Sequence, residues 1–501
     1  MSPARPAAEP WLWLPSSELP APPSVGEILR TYRGVHDMSQ QELADFLGFD
    51  QSYISRLESG RRKIRDVGHL RHMAERLAIP VEELGIAAGM YGRVTEERSL
   101  PIGHVDDERA AALAQTIGVS QRQWRLVRQG MNRRRVPLTE IAAVLHADVT
   151  KVPRTSLLMR EDWFASEPVD LGEISLVWDG NAPPPALAGS ESETEAVRPF
   201  AAVGKRFERY SRAIRDVDAP TLFENRLSYR LLEVEPGAKT LRFGLTTYFD
   251  MVDVCEAVAH ELAAPWLRDT PAPDRTVSQL WSELPFRRLI GDVFDLTRRP
   301  VLPSISILTI RRSASSAAFI LHDRDPARVA VAGGMFQVMP SGVFQPSSIS
   351  PLDLQHDFDL WHNILREFSE EYLGNPEHDG SAVRPIDYEA SEPFRSLSKA
   401  RREGKLRIYF FGIGMDPLTL AGEIIGVAVI DDDVFESVFE AFVDRNAEGI
   451  AVAAGSEARA ADGIPFTRPS IDRLRDGAVM APAGSACLEL AWRSRALLLD
   501  G

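Results

Sequence analysis

The chain has 501 residues with the composition of an ordinary globular protein, 44% hydrophobic and 26% charged. This length exceeds what one hydrophobic core usually accommodates, so we expect several domains. The two cysteines, Cys255 and Cys487, exclude a disulfide framework and a cysteine-rich zinc site. The absence of a long apolar run and of a recognisable signal peptide predicts a cytoplasmic, nucleoid-associated protein that does not enter a membrane.

The net charge of −15 is unevenly distributed along the chain. Residues 25–160 contain 21 basic and 17 acidic side chains, whereas residues 161–501 contain 35 basic and 53 acidic ones. Positive charge favours contact with nucleic-acid phosphates and negative charge opposes it. We therefore expect any nucleic-acid-binding function near the N-terminus, and another role for the acidic remainder.

Residues 24–90 have the pattern of a bundle of short helices. A capping box begins at Ser39, and Gly48 stands where the helix that follows it should end. Asp50 is placed to cap the next helix, which Gly60 closes. Two helices joined by a tight turn are typical of the helix-turn-helix unit, whose second helix enters the major groove of DNA.

This stretch resembles the lambda-repressor-like (Xre) family of helix-turn-helix domains. The resemblance implies binding to double-stranded DNA, with Gln40 on a phosphate and with Gln51, Ser52 and Arg56 facing base edges. Glutamine can pair with adenine through two hydrogen bonds, and arginine can pair with guanine in the same way. The other expected DNA contacts are Tyr53 and Ser55 on the same helix and the basic residues Arg61, Arg62, Lys63 and Arg65 that follow it.

A diverged copy of the pattern occurs 70 residues later, at about residues 105–160. Gly118 and Gly130 repeat the two glycines, and Ser120 begins another capping box. The copy predicts a second helix-turn-helix-like domain that either contacts DNA or serves as a dimerisation or packing module. Its candidate phosphate contacts are Arg122, Arg125, Arg128, Arg133, Arg134 and Arg135.

Residues 179–198 are rich in proline, serine, glutamate and small residues without periodicity, which predicts a linker or an exposed loop. Residues 199–501 then mix helix and strand patterns. A helix is predicted over residues 200–214, and residues 227–234 and 240–247 alternate as two paired strands. The mixture predicts an α+β domain.

Within this domain, a loop at Gly342 follows predicted strands and precedes a predicted helix over residues 361–372. Glu367, Glu370 and Glu371 have the i, i+3, i+4 spacing that brings side chains to one face of a helix. Three carboxylates grouped in this way can bind Mg²⁺ beside a diphosphate.

The segment resembles the Nudix box, which implies a Nudix-like sandwich of sheets and helices and a nucleotide-type ligand. By position, Glu367, Glu370 and Glu371 would bind Mg²⁺, Arg366 would orient the helix, and Gly342 would be a loop glycine.

The segment also departs from the Nudix pattern. About ten extra residues separate the loop glycine from the helix motif, judged against the spacing of the family. An intermediate glutamate of the family is absent, with only Asp357 or Asp359 nearby. Because catalysis needs its ligands within fractions of an ångström, we assign no catalytic residue.

These patterns together predict a multidomain protein with all-α helix-turn-helix domains at the N-terminus and an α+β, Nudix-like C-terminal domain. The leading hypothesis is a homodimeric, sequence-specific transcriptional regulator whose C-terminal domain senses a nucleotide-type small molecule. It requires no cofactor, and Mg²⁺ is the candidate metal. The alternative is a Mg²⁺-dependent diphosphate hydrolase with an autoregulatory DNA-binding domain.

Overall fold

The computed structural model of the protein describes most of the chain. The described residues are 25–79 (without 37, 63, 65 and 78), 107–220, 223–268, 276–324, 335–376, 385–443, 449–451, 462–477 and 480–500. Lys63, Arg65 and residues 80–90 of the predicted helix-turn-helix domain lie outside them. Among the helices in these ranges, none has the length and the apolar character needed to cross a bilayer.

The helices of the described residues are α1 (Val25–Val35), α2 (Gln40–Leu47), α3 (Gln51–Glu58), α4 (Val67–Leu77), α5 (Asp107–Arg133), α6 (Arg135–Leu145), α7 (Tyr210–Val217), α8 (Tyr248–Arg268), α9 (Val277–Ser282), α10 (Pro285–Ile290), α11 (Pro351–His356), α12 (Leu360–Glu367), α13 (Phe394–Arg402), α14 (Asp432–Val438), α15 (Arg468–Gly477), α16 (Pro482–Arg493) and α17 (Arg495–Asp500).

The strands are β1 (Leu158–Asp170), β2 (Ser175–Trp178), β3 (Phe200–Ala202), β4 (Lys205–Arg206), β5 (Leu227–Val234), β6 (Thr240–Thr247), β7 (Pro303–Arg312), β8 (Ala317–Phe319), β9 (Leu321–Arg324), β10 (Phe336–Val338), β11 (Ser341–Val343), β12 (Leu406–Met415), β13 (Gly422–Asp431), β14 (Gly449–Ala451) and β15 (Ile464–Pro465).

The helices α1 to α4 form the N-terminal bundle, and local capping sets their ends. The Ser39 hydroxyl accepts a hydrogen bond from the Glu42 amide while the Glu42 carboxylate accepts one from the Ser39 amide, so the predicted capping box is confirmed. Gly48 ends α2 in the left-handed conformation, with φ of 71°. Asp50 caps α3 by accepting a 2.7 Å hydrogen bond from the Ser52 amide.

The prediction of a second helix-turn-helix over residues 105–160 is wrong, although α5 and α6 are helical and pack on the body, in line with the alternative of a packing module. Gly118 and Ser120, which were expected to lie at a turn, are inside α5, one continuous helix of 27 residues. A glycine destabilises a helix interior by only about 1 kcal/mol. Burial of Trp124 and Met131 on one side of α5 opposes that cost and anchors the helix to the rest of the chain.

The C-terminal body is built on a mixed seven-stranded sheet with the order β1-β12-β13-β7-β8-β15, to which β11 adds by pairing with β7. The central pair β13 and β7 is parallel, with Ile424 opposite Ile305 and Val427 opposite Leu308. Alternate residues of these strands face two different apolar clusters, so that the middle of the sheet is buried on both faces. Smaller sheets, β2-β6-β5, β10-β9-β14 and β3-β4, complete the body.

The prediction of a linker or an exposed loop at residues 179–198 is wrong for the later part of the segment: residues 180–186 are mostly exposed, but residues 187–198 are packed on the body. Its residues Ser192–Val197 form a short 3-10 helix in which Thr194 is fully buried. Gly189, with φ of 78°, passes so close to α8 that a Cβ there would lie 2.3 Å from the carbonyl oxygen of Asp253. Small residues permit this close approach. A segment rich in small residues has the same composition whether it is packed in this way or forms an exposed loop.

The body begins well before residue 199, the boundary that was predicted for it. The edge strand β1 pairs antiparallel with β12, with Leu158 opposite Met415 and Asp170 opposite Tyr409. Two register shifts, on either side of Phe164, interrupt the pairing of β1 with β12. They also interrupt the alternation of apolar and polar residues by which a strand is recognised in a sequence.

The predictions for residues 200–247 are confirmed only in part. Residues 227–234 and 240–247 are β5 and β6, which pair antiparallel as expected. The helix predicted over residues 200–214 is instead the small hairpin of β3 and β4 followed by α7.

Candidate functional site

The recognition helix α3 presents the predicted DNA contacts on the side opposite the core of the bundle. Ser52 and Arg56 are exposed, and Gln51 and Ser55 are half-buried, whereas Ile54 is fully buried. The helical period therefore separates the polar face, which is available to base edges, from the apolar face that holds the helix in place.

A chain of hydrogen bonds holds the two predicted glutamine contacts. The Gln51 amide donates to the side-chain oxygen of Gln40 over 3.2 Å, and the Gln40 amide donates to Glu58 over 2.6 Å. Glu58 is only 4% exposed, and Arg33 donates to both of its oxygens, at 2.9 and 3.2 Å. Burial alone would raise the pKa of Glu58, but the bonds from Arg33 and Gln40 outweigh it and keep the pKa below its ordinary value.

The segment after α3 lies between the recognition helix and the C-terminal body. Arg61 is exposed, whereas the Arg62 guanidinium lies 4.9 Å from the ring centroid of Tyr53 and 3.6 Å from the carboxylate of Glu224. Tyr53 is half-buried and stacks on Phe49, with 5.1 Å between ring centroids. Burial raises the pKa of Tyr53 to about 12. Arg62 thus contacts both the N-terminal bundle and the body.

Three of the six arginines predicted to bind phosphates on α5 and α6 contact the body instead. Arg128 and Arg135 are buried and form ion pairs with the buried Glu256, at 3.3 and 2.9 Å, so the prediction of DNA contact is wrong for both. Arg125 donates a 3.1 Å hydrogen bond to the carbonyl of Val217. The other three, Arg122, Arg133 and Arg134, are exposed, and the Arg125 side chain is also 44% exposed.

The predicted acidic helix is brought against β11. The α-helix ends at Glu367, and residues 368–372 continue as a π-helical turn. A Cβ on Gly342 would lie 2.1 Å from the Glu367 carboxylate, and Ser341 donates its amide and its hydroxyl to the buried Glu371, at 3.1 and 3.4 Å. Gly342, Glu367 and Glu371 therefore lie together, with Glu370 half-buried on the same turn.

A further carboxylate, Glu423, lies on β13, which pairs with β7 on the side away from β11. The Ser306 hydroxyl donates to Glu423 over 2.9 Å, and Ser306 stands opposite Ser341 in the pairing of β7 with β11. Glu371 and Glu423 thus bind neighbouring serines. We call Glu367, Glu370 and Glu371 the acidic cluster. Their carboxylates do not converge as closely as metal ligands: among the described residues, the group of three potential ligand atoms within 4.8 Å of one another is at His356, Asp357 and His362.

Arg366 has a separate, structural environment. Its guanidinium donates to the Tyr388 hydroxyl at 2.5 Å and to the Gln345 carbonyl at 2.6 Å, and lies 3.3 Å from Asp357. Asp357 also accepts hydrogen bonds from Tyr388 and from the amide and hydroxyl of Ser347. Burial raises the pKa of Asp357, but Arg366 and these donors outweigh it, so the pKa stays below its ordinary range.

His356 and His362 lie beside this carboxylate, and one potential ligand atom from each of the three residues falls within 4.8 Å of the others. Each histidine uses one ring nitrogen on a carbonyl oxygen, of Ile386 at 2.8 Å and of His356 at 2.9 Å. A cation at Asp357 would have to displace donors that already saturate the carboxylate and would face the Arg366 guanidinium. The arrangement therefore fits a structural role better than a metal site.

The sequence alone did not indicate that Glu58 and Glu224 contact residues of the predicted DNA-binding surface. Arg33 and Glu58 are 25 residues apart, and Arg62 and Glu224 belong to different domains, so no local spacing rule connects either pair. Only the asymmetric burial of α3, which makes a glutamate at its last position face inward, would have pointed to Glu58.

Comparisons with known proteins support the assignment of the N-terminal bundle. Residues 24–90 match the family model described as a helix-turn-helix domain. A stretch of 76 residues, 15% of this chain, is 36% identical to the HTH-type transcriptional repressor RghR of Bacillus subtilis (strain 168) and covers 56% of that protein. The chain thus spans about half the length of this curated relative. The N-terminal part of the chain is a helix-turn-helix domain.

Proposed function

We propose that this chain is a sequence-specific DNA-binding transcriptional regulator. The observation that carries the proposal is the polar face of α3, where Ser52 and Arg56 are exposed and Gln51 is held by Gln40. A helix-turn-helix domain that offers such donors and acceptors to the major groove can distinguish base pairs. The similarity to a transcriptional repressor in this part of the chain supports the same function.

We further propose that the regulator acts as a homodimer on double-stranded DNA. One recognition helix covers only a half-site, and a two-fold symmetric protein matches a two-fold symmetric operator. The exposed Arg122, Arg133 and Arg134 are candidates for additional phosphate contacts, since basic side chains outside the groove strengthen binding without reading sequence.

The role proposed for the C-terminal body is recognition of a nucleotide-type small molecule. The support is the acidic cluster, in which Glu367 and Glu371 lie against β11, although its three carboxylates would have to move closer together to share an ion. Glu367, Glu370 and Glu371 would hold Mg²⁺, which would neutralise the charge between the carboxylates and a diphosphate. Because Glu371 is buried and bonded to Ser341, we favour ligand sensing over hydrolysis.

Selection of duplex DNA from a random library by the purified protein tests the DNA-binding function. We expect enrichment of a two-fold symmetric sequence, protected in a footprint, and loss of that enrichment in the double variant Gln51→Ala, Arg56→Ala. Recovery of the same pool by wild type and variant would contradict sequence-specific reading by α3.

Thermal unfolding with and without Mg²⁺ and a panel of nucleoside diphosphate compounds tests the role of the body. We expect a ligand-dependent rise in the unfolding temperature that Glu370→Gln abolishes, without turnover of the compound. Turnover that depends on Glu370 would instead identify a diphosphate hydrolase. No shift with any compound would contradict nucleotide sensing.

A further inference from the structure

We propose that the C-terminal body holds the helix-turn-helix domain in a clamped state of reduced DNA affinity, in which Glu224 competes with DNA phosphates for Arg62. The inference rests on the proposed DNA-binding function and adds its regulation. The clamp is formed where Arg62, Asp66 and Val67 meet Glu224 and Asn225, and where apolar residues of the body pack on the core of the helix-turn-helix domain.

The first part of the clamp is a polar anchor at the start of α4. Asp66 is 5% exposed, and one of its oxygens accepts from the His69 amide at 3.0 Å. The other oxygen accepts from the Asn225 amide at 2.8 Å and from Arg215 at 3.4 Å. The Val67 amide in turn donates to the Asn225 carbonyl at 2.8 Å. One buried carboxylate therefore both caps α4 and binds it to the body.

The second part is apolar. Leu227, Ile349 and Leu354 of the body belong to the same buried cluster as the core residues of the helix-turn-helix domain. The body thus completes the hydrophobic core of the DNA-binding domain, and this burial favours the docked arrangement. The orientation of the recognition helix relative to the body is fixed as long as these side chains stay in contact.

The third part places an acidic group at the DNA-binding surface. Arg62, which follows the recognition helix, is 41% exposed and pairs with Glu224, which is 39% exposed. Both groups are open to solvent, so a DNA phosphate can reach Arg62, but it must replace the carboxylate to do so. An exposed ion pair of this kind is weak enough for a DNA phosphate to replace it.

The clamp is connected to the acidic cluster by continuous packing. Leu354 lies on α11, and Asp357, just after that helix, is held by Arg366 of α12. Glu367 follows Arg366 and faces Gly342. A displacement of α12 would therefore be transmitted through Asp357 to the helix that contacts the DNA-binding domain. Such a shift of α11 is a physical means of opening or tightening the clamp.

Binding of the full-length protein to a fluorescein-labelled duplex of mixed sequence tests the competition, because phosphate contacts do not depend on sequence. We compare wild type, Glu224→Gln, Arg62→Ala and the double variant across a range of salt concentrations. Glu224→Gln should bind about twofold to fivefold more tightly, with a salt slope steeper by about 0.9, the increment for one more phosphate contact. In the Arg62→Ala background the same change should have no effect.

The matched control is Glu233→Gln, which removes a carboxylate from another exposed pair, with Arg242 at 3.0 Å, on strands β5 and β6 of the body. Its affinity for the duplex should equal that of wild type. If Glu224→Gln leaves affinity unchanged while Arg62→Ala weakens it, or if Glu224→Gln strengthens binding equally with and without Arg62, the competition is overturned while DNA binding stands. Absence of binding by every variant would contradict the proposed function itself.

Discussion

The side-chain amide of Gln51 donates a hydrogen bond to the side-chain oxygen of Gln40 on the preceding helix, 3.2 Å away. The two glutamines therefore hold each other in one geometry in the free protein. A side chain that is already ordered loses less conformational entropy when it binds. The pair is thus prepared for contact with one base and one phosphate at the same time.

Replacing both Gln51 and Arg56 by alanine should remove specific recognition without unfolding the domain. Each side chain that pairs with a base contributes about 1–3 kcal/mol of discrimination, so affinity for the selected operator should fall by about thirtyfold or more. Affinity for a mixed-sequence duplex should change much less. Fluorescence anisotropy measures both, and Arg395→Ala, an exposed arginine paired with Glu392 in the body, is the control.

Replacing Glu58 by alanine should destabilise the helix-turn-helix domain. The change removes the hydrogen bonds that the half-buried Arg33 and Gln40 donate to a charged acceptor, and such bonds contribute about 1.5–3 kcal/mol. We expect a lower unfolding midpoint in urea and weaker operator binding. If the variant is destabilised as expected but binds the operator as tightly as wild type, the Gln40–Gln51 pair does not depend on Glu58.

Arginines on α5 and α6 should differ sharply in their contribution to stability. Arg135→Ala removes two hydrogen bonds from the buried Glu256 and leaves it with only Arg128, which should cost about 1.5–3 kcal/mol. The neighbouring Arg134 is exposed, so Arg134→Ala should change the unfolding midpoint little. Urea unfolding followed by circular dichroism measures both variants. Similar midpoints for the two would contradict the buried network.

The stability of the body should depend on His260 in acid. Burial, with the nearby charge of Arg128 as a smaller cause, lowers the pKa of His260 to about 3, far below the ordinary value of about 6.5. Between these values the unfolded chain binds a proton that the folded chain does not, so stability is lost as the pH falls. This group alone should remove about 2 kcal/mol of stability between pH 7 and pH 5.

His260→Gln should reduce that loss of stability, because glutamine does not titrate and still offers a partner to the hydroxyl of Tyr210, which lies 2.9 Å from the histidine ring. The nearby Asp253 has its pKa raised by burial to about 7, which acts in the opposite direction, but it is present in both proteins and cancels in the comparison. Urea midpoints of the two proteins at pH 7 and pH 5 give the difference. If the urea midpoints of both proteins fall by the same amount between pH 7 and pH 5, His260 makes no contribution.

Features governed by short-range interactions were predictable from the sequence. The capping box at Ser39, the left-handed Gly48 and the cap at Asp50 depend on residues within a single turn, and each is present in the structure. The strands β5 and β6 were predicted to the residue because the alternation of each survives between clear turn signals. The polar face of α3 follows from the same helical period.

Features governed by distant partners were not predictable. Trp124 and Arg128 keep α5 continuous by packing on the body, and Arg128 pairs with Glu256, 128 residues further along the chain. The spacing of glycines in residues 105–160 therefore indicated a turn that packing overrides. Glu224 likewise reaches Arg62 only after the two domains have docked, so the sequence gives no sign of the contact.

The pairing of β1 with β12 has a consequence for synthesis on the ribosome. Leu406, the first residue of β12, is added 236 residues after Asp170, the last residue of β1. At translation rates of about 5–20 residues per second, roughly 10–50 seconds therefore pass between the synthesis of β1 and the start of β12. The helices α1 to α4, whose caps are local, are complete long before this. Until β12 emerges, the nascent chain carries an unpaired strand to which another chain can add.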